Sequence, residues 1–234
     1  MDEFHVGGLD ATQELAAQMD LQPGLRVLDV GSGIGGPARY FGAEHHCKVT
    51  GIDFTEEFVQ VARSLTRRTK LDHLVEFVQG SALDTGFQAK TFDRAYMIRV
   101  GMNIPDKAGV FREVRRVLKP AGKFAIFDFV RTGDVPITYP VPWASSEETS
   151  FVVGKGSYLE ALQKAGFHVE RERARTAFAI EFTERAIARA ARDGQPALAL
   201  HLLMGNLAPV MIKNVLAMMK QGTLEPVELY ARTV

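Results

Sequence analysis

The feature that most constrains the fold is the stretch VLDVGSGIGG at residues 27–36, in which a continuous apolar strand runs directly into a glycine turn. A strand, a glycine turn and a following helix are typical of the first unit of an open α/β sheet that binds a ligand against its backbone. Gly31, Gly33 and Gly36 make the pattern G-x-G-x-x-G, whereas Gly31, Gly33 and Gly35 make G-x-G-x-G. The turn alone therefore does not choose between the two ligand types that these patterns serve.

The rest of the chain continues the same architecture. Strand-like apolar runs alternate with helical periodicity through the first 130 residues, which predicts βαβ units around a parallel sheet. Residues 225–234 read as a further strand, and a chain of 234 residues is long enough for one α/β domain with a full core. We predict a doubly wound, mostly parallel sheet in a single domain over residues 1–234.

Two segments depart from this alternation. The stretch RTGDVPITYPVPWASSEETS predicts a long loop of the kind that usually carries function. Residues 181–221 then read as helices only, and together with residues 178–180 they precede the last strand. They are longer than a crossover needs, so we predict a helical insertion that covers the sheet edge and helps to form a pocket. Its methionines suit an adaptable pocket, but core packing is the favoured interpretation.

The composition of the chain argues against a nucleic-acid partner, a membrane span and a metal site. Lys plus Arg equals Asp plus Glu at 28 each, which gives no uncompensated positive charge for nucleic acid. No run reaches the roughly 18 apolar residues of a membrane span, and the acidic start does not resemble a signal peptide. We therefore expect a cytoplasmic protein without a membrane span. Cys47 is the single cysteine and the histidines lack ligand spacing, so no metal site is predicted.

Chemically useful residues fall where the predicted strands end. Asp29, Asp53, Ser81 and Arg99 all occupy such positions, and the carboxyl ends of parallel strands meet at one edge of a sheet. Asp53 follows the first turn by about 20 residues, the position at which a carboxylate accepts hydrogen bonds from ribose hydroxyls. The common implication of both glycine patterns is an adenosine-bearing cofactor.

Asp29 distinguishes the two candidate cofactors by charge. It stands two residues before Gly31 and would face whichever group occupies the turn. A nicotinamide dinucleotide would put a pyrophosphate there, whereas S-adenosylmethionine would put a cationic ammonium. Unit charges about 4 Å apart interact by roughly 4 kcal/mol at an effective dielectric near 20, so the sign favours S-adenosylmethionine.

Longer motifs support this preference. The stretches VLDVGSGIGGPARY, VTGIDFTEEFV, VEFVQGSALD and FDRAYMIRVGMNIPDKAGVFREVRRVLKPAGKFAIFDF together resemble class I S-adenosylmethionine-dependent methyltransferases. The similarity spans about residues 4–167. It is strongest to the small-molecule branch related to the ubiquinone/menaquinone, tocopherol and sarcosine/dimethylglycine methyltransferases. The resemblance implies a seven-stranded Rossmann-like sheet and methyl transfer to a small organic acceptor, with carbon, nitrogen and oxygen all open as the acceptor atom.

The resemblance also assigns individual residues. It implies that the methionine part is surrounded by Asp29, Gly31, Ser32 and Gly33, the ribose by Asp53, and the adenine by Phe54, Ser81, Ala82 and Leu83. Ser81 departs from the family, which usually has an acidic residue there, and a serine oxygen accepts without charge assistance. Arg99 is a second departure, assigned both to the cofactor side and, with Phe4 and Trp143, to the acceptor.

No catalytic residue needs to be visible, because the sulfonium carries an activated methyl group and positioning can contribute about 7–11 kcal/mol. Asp128, His5 and His201 are weak candidates for a base.

An N-terminal segment within residues 1–20 is predicted to fold over the cofactor as a lid. Two other functions stay open, namely an NAD(P)-dependent oxidoreductase and a non-catalytic S-adenosylmethionine-binding protein.

Overall fold

The computed structural model describes residue 3, residues 5–194 and residues 201–234. The strands and helices alternate as the sequence predicts. The strands are β1 (Arg26–Val30), β2 (Lys48–Asp53), β3 (Val75–Gln79), β4 (Phe92–Ile98), β5 (Leu118–Arg131), β6 (Phe167–Ala174) and β7 (Leu224–Thr233). The helices are α1 (Gly8–Ala17), α2 (Gly36–His45), α3 (Glu56–Arg68), α4 (Lys107–Val117), α5 (Lys155–Lys164), α6 (Thr176–Asp193), α7 (His201–Met204) and α8 (Ala208–Gln221). No helix within the described ranges is long and apolar enough to cross a membrane.

The strands form one seven-stranded sheet in the order β3-β2-β1-β4-β5-β7-β6. The first five strands are parallel, and β7 runs antiparallel to both β5 and β6. The order reverses between β1 and β4, so a crevice opens there at the carboxyl ends of the strands. The prediction of a doubly wound, mostly parallel seven-stranded sheet is confirmed.

Helices cover both faces of the sheet because the central strands are apolar on both sides. On one face Val27, Val49 and Tyr96 pack with residues of α1, α2 and α3. On the other face Leu28, Val30 and Ile52 pack with α4 and α5. The sheet is therefore a rigid platform that fixes where each strand-end loop begins.

The helical segment α6–α8 lies between β6 and β7 and overlaps residues 178–221, for which the insertion is predicted. Residues of α8 bury a third apolar cluster together with Phe129 at the end of β5 and residues of the long loop after it. Met211, Met218 and Met219 are buried in the described part of the chain, which favours core packing over a pocket for these side chains.

The N-terminal helix begins earlier than its sequence suggests, because Asp10 with Gln13 three residues on predicts a side-chain cap. A side-chain cap at Asp10 would start the helix there, but α1 begins at Gly8 after Gly7 in a left-handed conformation, so Asp10 lies in the first turn. Leu15 is fully buried against the sheet. Glu14 pairs with Arg175 and with Arg173, the latter at 2.9 Å, and so ties the helix to the end of β6. Helix α1 is thus part of the core.

Candidate functional site

A cavity of about 680 Å³ opens at the carboxyl ends of β1 to β4, in the crevice where the strand order reverses. Its volume lies in the range of small-molecule and cofactor sites. Every cofactor residue proposed from the sequence lines it: Asp29, Gly31, Ser32, Gly33, Asp53, Phe54, Ser81, Ala82, Leu83 and Arg99. The topology therefore brings together residues that are up to 70 positions apart in the chain, because each follows a neighbouring parallel strand.

The glycine turn has the backbone conformation that its composition suggests. Gly31, Gly33 and Gly35 have φ of 73°, 52° and 79°, a region that side chains rarely adopt. A Cβ on Gly31 would lie 2.4 Å from Val100, and a Cβ on Gly35 would lie 2.2 Å from Phe77. A Cβ on Gly33 would meet nothing within 4 Å. Two of the glycines thus allow close packing of the protein, and the third leaves open space in the cavity.

Asp29 is a buried acid whose carboxyl group is poorly satisfied. It lies between Gly51 of β2 and Tyr96 of β4 in the parallel register, is 3% exposed, and its Oδ2 has no hydrogen-bond partner. Burial raises the pKa of Asp29 to about 8, and the negative charge of Asp53 adds to this effect. A ligand cation beside this carboxyl would supply the missing partner and favour its ionised form.

Asp53 holds the turn and also faces the cavity. Its Oδ2 accepts from the backbone N–H of Gly33 at 2.8 Å, and its Oδ1 accepts from that of Thr55 at 2.9 Å. Each carboxylate oxygen has a further lone pair, so these bonds leave acceptor capacity for ribose hydroxyls. The hydrogen bonds by which Asp53 holds the turn are therefore compatible with the predicted binding of ribose.

The predicted adenine side is apolar and open. Phe54 is 77% exposed at the cavity rim, which excludes a core role for its ring. Ser81 Oγ accepts from the backbone N–H of Leu83 at 3.1 Å, so the serine shapes the turn that carries its neighbours. A base stacked on Phe54 would cover an aromatic face that otherwise meets water.

Arg99 follows β4 directly and has a left-handed φ of 59°, uncommon for a residue with a side chain. Its guanidinium carbon lies 3.5 Å from the ring centroid of Phe129 and 4.5 Å from that of Phe127. All three guanidinium nitrogens are shielded from solvent and lack a hydrogen-bond partner. Burial lowers the pKa of Arg99 to about 9, against the opposing effect of Asp128, so the group stays charged at neutral pH.

The candidate bases stand in different surroundings. His5 lines the cavity, and burial lowers the pKa of its imidazole to about 3, with a smaller effect from Arg99. Asp128 is fully buried behind the cavity wall, where Oδ2 accepts from Tyr158 at 2.8 Å. His5 is thus the neutral, cavity-facing candidate, whereas Asp128 is engaged in the core.

Of the acceptor residues predicted from the sequence, Trp143 does not line this cavity. Trp143 packs on Phe129, with ring centroids 5.3 Å apart, and its indole N–H donates to Ser150 at 3.0 Å. Among the described residues, none of the insertion helices lines the cavity. Phe4 lies outside the described residues. The acceptor roles of Trp143 and Phe4 therefore stay predictions.

Part of the cavity wall was missed by the sequence reasoning. It is the segment that follows Arg99, in which Val100, Asn103, Ile104 and Pro105 line the cavity. The signal was present, since these residues follow the predicted fourth strand at the same sheet edge as the other site residues.

A doubly wound sheet with a large cavity at its switch point and an acid before the glycine turn defines a Rossmann-like cofactor-binding domain. Residues 28–126 match the family model described as "Methyltransferase domain". The resemblance of this part of the chain to methyltransferases is therefore confirmed.

Known proteins extend this similarity in sequence and in structure. The chain is 32% identical over 168 residues to the sterol 24-C-methyltransferase erg6 of Schizosaccharomyces pombe, covering 68% of this chain and 43% of that protein. The chain thus spans less than half the length of this curated relative. A solved structure of a putative sarcosine dimethylglycine methyltransferase from Galdieria sulphuraria matches with a TM-score of 0.81 and 19% identity, covering 96% of this chain and 85% of that chain. The [4+2]-cyclase SpnF matches with a TM-score of 0.73 and 24% identity, covering 95% and 79%. Both structures share the fold.

Proposed function

We propose that this protein is an S-adenosylmethionine-dependent methyltransferase that acts on a small organic acceptor. The observation that carries the proposal is the Asp29 carboxyl, buried beside the glycine turn with an oxygen that lacks a partner. A cationic ammonium satisfies that oxygen, whereas the pyrophosphate of a dinucleotide would be repelled by its ionised form. The match to a methyltransferase domain supports the same cofactor.

The residues present fit this cofactor in three places. Asp29 and the open space above Gly33 suit the methionine part, Asp53 suits the ribose, and Phe54 with Leu83 offers an apolar surface to the adenine. When bound, the sulfonium supplies an activated methyl group. The protein then has to orient an acceptor nucleophile in line with it and exclude water, which requires positioning more than acid–base chemistry.

The acceptor is proposed to bind beside the cofactor, towards the end of β5. Arg99 connects the two regions, since it lines the cavity and packs on Phe129 of the cluster beneath the insertion. We assign the acceptor wall to the insertion at residues 178–221. We assign the lid to the N-terminal segment within residues 1–20, of which His5 contributes to the cavity wall ahead of the buried helix α1.

Cofactor choice is tested by isothermal titration of the purified protein with S-adenosylhomocysteine, NADH and NADPH. We expect saturable binding of S-adenosylhomocysteine only. Binding of a nicotinamide cofactor instead would support the oxidoreductase and overturn the proposal.

Activity is tested by incubating the protein with S-adenosylmethionine labelled in the methyl group and panels of amines, phenols, quinols, sterols and prenyl diphosphates. Transfer of label to one panel identifies the class of acceptor, and the position of the label in the product identifies the acceptor atom. Tight cofactor binding without transfer to any panel would favour the non-catalytic binding protein, or a non-methylating reaction on this fold. The match to a [4+2]-cyclase makes the second alternative worth testing, because fold alone does not determine chemistry.

A further inference from the structure

The guanidinium of Arg99 is the most unusual charged group beside the cavity. Its nitrogens carry five N–H donors, and none of them donates to a protein acceptor. Its guanidinium carbon lies over the rings of Phe127 and Phe129, so aromatic faces hold the group in place of hydrogen bonds. Buried polar groups are normally hydrogen-bonded, and a buried cation without a partner is a marked exception.

The surrounding acids do not satisfy this cation. Among the acids, Asp128 has the largest electrostatic effect on Arg99. Its carboxylate, however, accepts hydrogen bonds from Tyr158 and from the backbone N–H of Phe129. His5 also interacts electrostatically with Arg99, but an imidazole cannot compensate a cation, and the lowered pKa of His5 only keeps it neutral. The left-handed backbone of Arg99 adds strain at the same residue. A cation that is unpaired, strained and placed beside a ligand cavity lowers stability unless a ligand satisfies it.

The position of Arg99 indicates which kind of ligand would satisfy its guanidinium. Arg99 lines the cavity, whereas its guanidinium lies over Phe129, whose ring also packs on Trp143 and belongs to the cluster beneath the insertion. Because no hydrogen bond holds the guanidinium, only ring contacts and the attraction of Asp128 oppose a rotation of the side chain into the cavity that it already lines. A planar guanidinium binds carboxylate and phosphate oxygens well, and the aromatic rings beside it suit an apolar body.

We infer that Arg99 binds an anionic group of the methyl acceptor, so that the acceptor is a small organic acid or phosphate ester with an apolar body. This inference rests on the proposed methyltransferase function and narrows its substrate class. The same chemistry has a second source, the carboxylate of the cofactor's own methionine part, and the experiment has to separate the two.

The test compares the parent with Arg99→Met, which keeps an unbranched apolar side chain, and with Arg185→Met, which removes an equal charge from an exposed position on α6. Each protein is saturated with S-adenosylhomocysteine and titrated with benzoate, inorganic phosphate and the neutral analogue benzamide. Binding is followed by calorimetry and by the fluorescence of Trp143, the single tryptophan, which packs on the same Phe129.

We expect benzoate or phosphate to bind the parent and Arg185→Met saturably, and to bind Arg99→Met at least about tenfold more weakly, the effect of losing one charge-assisted hydrogen bond. Benzamide should not distinguish the proteins. Ligand-free Arg99→Met should melt at or above the temperature of the parent, because an unpaired buried cation has been removed. If Arg99 served only to stabilise the fold through its cation–π contacts, Arg99→Met would instead melt at a lower temperature than the parent.

A second comparison separates the two sources of the anion. The affinities of S-adenosylhomocysteine and of 5′-methylthioadenosine, which lacks the amino-acid carboxylate, are measured for parent and Arg99→Met. A loss of about tenfold for the first ligand alone would assign Arg99 to the cofactor and overturn the inference. Equal anion binding by parent and Arg99→Met, or no anion binding by the parent, would also overturn it. Failure of the parent and of both variants to bind S-adenosylhomocysteine would instead count against the proposed function itself.

Discussion

The substitution Asp29→Asn tests the charge argument at the glycine turn most directly. Asp29 is buried, one of its oxygens lacks a partner, and burial raises its pKa to about 8. Without ligand the carboxyl is therefore about 10% ionised at pH 7 and about 1% ionised at pH 6. A cationic ligand binds the ionised form, so its affinity should rise about tenfold between pH 6 and 7, about fivefold between pH 7 and 8, and little beyond that.

The size of the effect of Asp29→Asn follows from the same quantities. An ion pair at about 4 Å and an effective dielectric near 20 is worth about 4 kcal/mol. Ionising a carboxyl of pKa about 8 at pH 7 offsets about 1.4 kcal/mol of this. The remainder, roughly 2.5 kcal/mol, corresponds to a loss of about 70-fold in affinity for S-adenosylhomocysteine at pH 7. The loss should shrink towards pH 6, because the parent is then almost entirely protonated.

The assay is isothermal titration at pH 6, 7 and 8 for the parent, for Asp29→Asn and for Asp134→Asn, an exposed loop acid that serves as the control. The affinity of the control for S-adenosylhomocysteine should rise with pH as that of the parent does, whereas the affinity of Asp29→Asn should not change with pH. Without ligand, the parent should become less stable as the pH rises from about 4 towards 8, because the folded state retains a proton that the unfolded state has released. Equal affinity of Asp29→Asn and the parent at pH 8, with no slope in either, would refute the reasoning.

Three further changes probe other parts of the structure. Phe54→Ala should lower the affinity for S-adenosylhomocysteine by about 1–3 kcal/mol without lowering the melting temperature, since the ring is 77% exposed; calorimetry and a thermal melt decide this. Tyr158→Phe should cost about 1–3 kcal/mol in urea unfolding, because the buried Asp128 loses a 2.8 Å hydrogen bond, and wild-type stability would contradict this. Glu228→Gln should cost about 3–5 kcal/mol, because Glu228 is a fully buried partner of Arg175 at 3.3 Å; a loss below about 1 kcal/mol would exclude that ion pair as an anchor.

The sheet and the residues proposed to bind the cofactor, which line its cavity, could be placed from the sequence because both depend on local patterns. Apolar strands such as RVLDV, alternating with helical stripes, specify a parallel sheet, and a parallel sheet necessarily places Asp29, Asp53 and Arg99 at one edge. The edge of the sheet at which the cavity lies therefore follows from the order and direction of the strands. Helix α1 was displaced from its expected start because Gly7 adopts a left-handed turn, for which no side-chain cap is needed.

The acceptor side could not be predicted in the same way. The partners of Trp143 and of the insertion methionines depend on packing between distant segments, such as Phe129 against Trp143, that no local pattern encodes. The lack of a partner for the Arg99 guanidinium is likewise a property of the folded structure. The sequence identified Arg99 as unusual, but its surroundings determine what it is suited to bind.

The unequal roles of the three glycines in the turn bear on how this motif persists in evolution. Gly31 and Gly35 are required by contacts with Val100 and Phe77 whether or not a ligand binds, so selection for folding alone would retain them. Gly33 faces open space, so the fold favours glycine there only through its left-handed φ of 52°, and the space itself serves a bound molecule. In a descendant that had lost its cofactor, the pattern would survive at two positions, whereas the third could change to asparagine or aspartate, which tolerate a left-handed backbone. The residue at position 33 is thus the one to inspect when a relative retains the motif but has an uncertain activity.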